Sequence, residues 1–93
     1  MGPSLNIAIS LNAYTFSDRS TWLRFQNKGN HKILYENASE LRNNYGMILV
    51  DPEKCPNLNY ESSLKLYKWL ASEDAAKLIK NYRISNTQVF YID

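Results

Sequence analysis

A single cysteine, Cys55, and a single histidine, His31, exclude several kinds of chemistry at once. One thiol cannot close an internal disulfide, and one thiol with one imidazole is too few soft ligands for a zinc site. With His31 in a turn-forming stretch, no Ser-His-Asp arrangement can be argued. Cys55 stands in a Lys-Cys-Pro loop with no base beside it and reads as a surface thiol. The only glycines, Gly2, Gly29 and Gly46, stand far apart, so there is no glycine-rich phosphate loop. No apolar run approaches the roughly 20 residues of a membrane helix. The opening Met1-Gly2-Pro3-Ser4-Leu5 lacks the basic start and long apolar core of a signal peptide. Net charge is only +2, and the basic residues are scattered singly, so the stripe a nucleic acid would need is missing. The acidic residues form no evident pair for acid–base work, and no enzyme is expected.

What is present suits a globular segment: 44% of the 93 residues are hydrophobic and 13% aromatic. Seven tyrosines and two tryptophans are too many for a disordered tail. The length makes one small domain, or a piece of a larger one.

The organising stretch is Ala13-Tyr14-Thr15-Phe16-Ser17-Asp18-Arg19-Ser20-Thr21-Trp22. Ala13 to Phe16 alternates as a half-buried strand does. Ser17 and Asp18 are both N-cap residues, and the apolar spacing from Trp22 predicts a helix from Ser17 to about Asn27, stopped by Lys28-Gly29-Asn30. A strand ending in hydroxyls at a helix start points N–H groups at whatever lies in front, and that arrangement attracts anions. The plain alternative is that Ser17 or Asp18 simply caps the helix. Trp22 and Phe25 read as core.

Before this stretch, Pro3 to about Ser10 suits a short helix and, through Leu5, Ile7, Ile9 and Leu11, a strand nearly as well. After it, Lys32–Glu36 reads as a short strand, and Tyr45–Val50 as the strongest strand, of the type buried on both faces. Asn37-Ala38-Ser39 matches a glycosylation acceptor, a tripeptide common by chance. Asn59 caps a helical stripe through Leu64, Tyr67, Leu70 and Ala71, and Ser72 caps a second through Ala75, Leu78, Ile79 and Tyr82, with a kink near Ala71-Ser72. Ser85-Asn86 is a turn, and Gln88–Ile92 is either a terminal strand or an extended tail. Short strands interleaved with helices, two of them C-terminal, indicate an α/β class.

These residues carry a family resemblance. The Ala13–Trp22 stretch is similar to a segment of tungstate-binding proteins, the substrate-binding components of tungstate ABC importers. Met1–Leu5, Lys32–Glu36, Asn44–Lys54, Trp69–Glu73, Ile79–Tyr82 and Gln88–Tyr91 resemble other parts of the same family, so the likeness covers essentially the whole chain. It implies part of a periplasmic-binding-protein fold of type II-like kind, in which two α/β lobes close around a dehydrated tetrahedral oxyanion. This chain would be the C-terminal portion: residues 1–16 at the end of the second lobe and the crossover, residues 17–93 returning into the first. The implied ligand is tungstate or a related oxyanion such as molybdate, held without a cofactor or metal, and the implied partner is an ABC permease. The intact protein would be periplasmic or membrane-anchored outside the cytoplasm. Carried over by position, Thr15 and then Tyr14 would donate to the anion; Ser17 and Arg19 are weaker candidates, and Asp18 and Arg19 match the motif with a structural role at the hinge as their alternative.

The departures matter. The family's Thr/Ser-rich oxyanion loop and its arginine-bearing central segment have no counterpart here. Arg42-Asn43-Asn44 lacks a usual proline, and Cys55 stands where histidine is common. Two other readings stay open: a truncated interaction module that stands alone or self-associates through apolar faces, and a small-ligand sensor built on the same fold.

Overall fold

The computed structural model describes residues 1–92 and divides them into two compact units. The first comprises Met1–Asn44 with Arg83–Val89; the second comprises Tyr45–Tyr82 with residues 90–92.

In the first unit, α1 (Gly2–Leu11) settles the helix-or-strand ambiguity in favour of helix. Pro3 sits in its first turn, where a missing N–H costs nothing. Asn12 ends it in the left-handed region (φ 53°, ψ 44°), which asparagine tolerates better than most residues. The Asn12 N–H donates to the Ile9 carbonyl and the Ala13 N–H to the Ala8 carbonyl, the paired bonds of a Schellman motif. Leu5 and Ala8, three apart on one face, are buried, whereas Ile7 and Leu11 are largely exposed. The short helix α2 (Arg19–Arg24) follows. It is smaller than the sequence spacing predicts, because Asp18 rather than Ser17 is the cap and Phe25 already has extended backbone (φ −70°, ψ 124°). The Lys28 ammonium donates to the Phe25 carbonyl and lies 5.0 Å from the centre of the Trp22 ring, closing the helix end with a cation. Trp22 and Phe25 are half-buried, a correction to their reading as core. Gly29, with φ 55°, supplies the turn, and the His31 N–H donates back to the Lys28 carbonyl at 2.9 Å.

The unit is completed by a small hairpin. Here β1 (Arg83–Ile84) pairs antiparallel with β2 (Thr87–Gln88), Arg83 opposite Gln88 and Ile84 opposite Thr87. Ser85 and Asn86, both at positive φ (51° and 65°), make the two-residue turn that suits right-twisted strands. Val89, immediately after β2, is buried.

The second unit is built on α3 (Tyr60–Leu70) and α4 (Glu73–Asn81), which pack together. Both caps fall where expected: the Asn59 side chain accepts from the Ser62 N–H, and the Ser72 hydroxyl accepts from the Ala75 N–H, each at 3.3 Å. Ala71 and Ser72 lie between the two helices, where the sequence places the break. Glu73 and Asp74 in the first turn of α4, and Lys80 in its last, match the helix dipole. Ala75 is buried, and the Phe90 ring meets those of Tyr45 and Tyr82 at about 6 Å, edge-on and stacked respectively. Cys55 is an exposed thiol, as read from its loop.

Three expected strands, Ala13–Phe16, Lys32–Glu36 and Tyr45–Val50, form no ladder among the described residues, and the terminal strand is confined to Thr87–Gln88. A strand exists only with a neighbour to accept its N–H and C=O groups, and the β1–β2 ladder includes none of the three. The result is a helix-rich piece with one small sheet, compatible with part of an α/β fold. No helix among the described residues is long and apolar enough to cross a membrane.

Candidate functional site

The stretch from Asn12 to Thr21 lies wholly in the first unit, between the end of α1 and the first turn of α2. Its entry is pinned by His31, whose Nε2 lies 2.9 Å from the Ala13 carbonyl oxygen; since a carbonyl only accepts, Nε2 carries the proton. Beyond that anchor the side chains open outward. Tyr14 is 90% exposed, and Thr15 and Phe16 are also exposed. The Thr15 hydroxyl donates to the Phe16 carbonyl at 3.3 Å, a long bond that an incoming acceptor can displace. The Ser17 hydroxyl donates to the Asp18 carbonyl at 2.9 Å.

The start of α2 already holds an anion, and it is the chain's own. The Asp18 carboxylate accepts from the Thr21 N–H (3.1 Å), the Ser20 hydroxyl (2.5 Å) and the Thr21 hydroxyl (2.6 Å). The Ser20 and Thr21 hydroxyls and the Thr21 N–H hold its carboxyl well below the ordinary 3.8, to about 2. Asp18 is therefore the helix cap, and Ser17 is not.

Arg19 turns away from solvent-facing duty. One guanidinium nitrogen is 2.9 Å from Glu36 Oε2, and the other is 3.0 Å from Asn37 Oδ1. Asn37 itself is at positive φ (61°). The pair joins two segments far apart in sequence and largely neutralises the one cation of the turn. His31, Glu36 and Asn37 were not singled out by sequence reasoning as supports of this stretch. Hydrogen bonds from a side chain to a group 17 or 18 residues away leave no periodic signal. Nearby, Tyr35 donates to Glu40, which lowers the Glu40 carboxyl and raises the Tyr35 phenol. No group of three or more His, Cys, Asp or Glu residues able to hold a metal ion occurs among the described residues.

Asp18 yields a prediction with a definite sign. Its folded-state pKa lies below the unfolded one, so its stabilising contribution is full above pH 3.8 and lost as pH falls through about 2. A shift of this size is worth at most about 2.5 kcal/mol, which solvent screening at this half-buried position reduces to about 1 kcal/mol. Asp18→Ala will lower stability at pH 7 by about 1 kcal/mol. In urea titrations from pH 7 to pH 2, the difference between variant and wild type will shrink toward the acid end.

The chain is similar in sequence to known binding proteins. It is 38% identical over 82 residues to the tungstate-binding protein TupA of Peptoclostridium acidaminophilum, covering 88% of this chain and 29% of the relative. It is 30% identical over 94 residues to the tungstate-binding protein TupA of Campylobacter jejuni, covering 97% of this chain and 35% of the relative. An ABC transporter anion-binding protein of Haloferax volcanii is 33% identical over 96 residues, covering 98% of this chain and 28% of the relative. The chain thus spans about a third of the length of the curated relatives it matches. No family model matches it, and no solved structure does.

Proposed function

Since the chain belongs to the tungstate-binding protein family over the third of their length that it spans, we propose that it is the C-terminal part of the substrate-binding component of an ABC importer for tungstate or a related oxyanion. The similarity along 88–98% of the chain is the observation that carries this reading. The role is capture without catalysis, needs no cofactor, and takes place outside the cytoplasm, with delivery to a membrane permease.

In this reading the donors are neutral. Hydroxyls and N–H groups fixed in a dry cleft act as oriented dipoles and hold a dianion without a counter-charge. Thr15 is the principal donor, through its hydroxyl or backbone N–H, and Tyr14 the second. Their exposure, and the long internal bond of the Thr15 hydroxyl, support this assignment. Ser17 and Arg19 are weaker candidates because the Asp18 carbonyl, and Glu36 with Asn37, already engage them. Residues 1–16 belong in this view to the cleft and crossover, and residues 17–93 to the returning lobe.

The test is a chimera in which this chain replaces the matched segment of the Peptoclostridium acidaminophilum relative. Calorimetric titration with tungstate, molybdate and sulfate will show tungstate binding. Thr15→Ala will weaken it about 10- to 100-fold, the effect of one hydrogen bond to a charged group. A folded chimera that ignores all three anions would overturn the reading.

A further inference from the structure

The stretch that carries Tyr14 and Thr15 is fastened at both ends to one other segment of the first unit. At its start the His31 Nε2–H donates to the Ala13 carbonyl oxygen at 2.9 Å. At its end the Arg19 guanidinium donates to Glu36 Oε2 at 2.9 Å and to Asn37 Oδ1 at 3.0 Å. Ala13 and His31 are 18 residues apart, and so are Arg19 and Asn37. A constant offset at the two ends means that residues 13–19 and 31–37 run in the same direction and in register. They share no ladder among the described residues, so side chains supply the bridges that a parallel sheet makes from backbone groups. Between the fixed ends, Tyr14–Ser17 belongs to no helix or ladder, and all four residues are exposed. Its course therefore depends on the end bonds rather than on packing.

We propose that His31, Glu36 and Asn37 are positioning residues for oxyanion capture: by fixing Ala13 and Arg19 they hold the Thr15 hydroxyl where it donates. This assignment rests on the proposed function and deepens it, since Thr15 is the donor that the three residues serve. A donor held in place beforehand adds no ordering cost when the anion arrives, whereas a donor on a free loop must be ordered at that moment. Arg19 takes a definite part as well. Its planar fork spans acceptors on two adjacent residues, so its role is to fasten the stretch rather than to donate to the anion.

The test is calorimetric titration of variants of the tungstate-binding chimera with tungstate, each variant checked for folding by circular dichroism. His31→Leu, which cannot donate, will weaken binding about tenfold. His31→Gln, whose side-chain amide can donate to the same carbonyl, will restore most of the loss. Glu36→Ala combined with Asn37→Gly, which leaves the positive φ at position 37 unstrained, will also weaken binding about tenfold. The direction of that change is decisive. If Arg19 were an anion donor that Glu36 holds back, the same double variant would bind tungstate more tightly, and the proposal would be overturned. In a Thr15→Ala background, His31→Leu will cost less than about threefold, because the hydroxyl it positions is gone. An undiminished loss there would make His31 a general support of the fold and overturn the proposal, as would wild-type affinity in His31→Leu or no rescue by His31→Gln. A folded chimera that ignores tungstate overturns the proposed function and this assignment with it. One that binds tungstate but is indifferent to these substitutions overturns this assignment alone.

Discussion

Titrated by itself with tungstate, the 93-residue chain will bind at least about 10⁴-fold more weakly than the chimera that restores the rest of the site. Hydrogen bonds to a charged group contribute about 1.5–3 kcal/mol each. Withholding about four of them removes about 6–12 kcal/mol, and each 1.4 kcal/mol is about tenfold in affinity. The local geometry adds to the deficit. The N-terminus of α2 is filled by Asp18, Arg19 is held by Glu36 and Asn37, and the Ser17 hydroxyl is spent on a neighbouring carbonyl. What the stretch offers alone is Thr15, Tyr14 and a few N–H groups in water, where an anion is already well solvated. Submicromolar binding by the isolated chain would contradict this directly. It would mean that the stretch, alone or paired across two copies, is a working site.

The second large effect concerns folding. Leu5 is fully buried, and among the described residues of the first unit only Ala8 and Val89 are buried with it. Leu5→Ala removes three carbons from so small a core and will cost about 2–5 kcal/mol. Small domains hold only about 5–15 kcal/mol in all. The variant is therefore expected to lose much of the α1 signal in far-ultraviolet circular dichroism at temperatures where the wild type is folded. Leu11→Ala, on the same helix but 72% exposed, will change stability by less than about 0.5 kcal/mol. Equal losses in the two variants would show that α1 is not held through its Leu5 face.

The features legible in the sequence are those set by neighbours in the chain. Asn59 and Ser72 announced their helices because a cap needs only the N–H groups two or three residues ahead. The Ser85-Asn86 turn followed from residues that tolerate positive φ. Three strands failed to form for the converse reason: the Tyr45–Val50 composition specifies what the segment would do between neighbours, and provides no neighbour. The reading of Trp22 as core failed similarly. Periodicity places its ring on the apolar side of α2, but the extent of burial depends on what lies opposite, and Lys28 meets it there. At the candidate site, Asp18 was visible as one of two possible caps, while the His31 anchor and the Glu36–Asn37 clamp on Arg19 arise from distant segments.

The return of Arg83–Val89 to the first unit fixes an order of events during synthesis. Met1–Asn44 leaves the ribosome well before the hairpin that α2 packs against and before Val89, one of the few residues to be fully covered. The second unit's helices, both made from residues 60–81, are translated inside that interval. The first unit to be made is consequently the last to close. Until the hairpin emerges, α2 lacks the strand it packs against in the finished unit, and this is when a holding chaperone has most to grip.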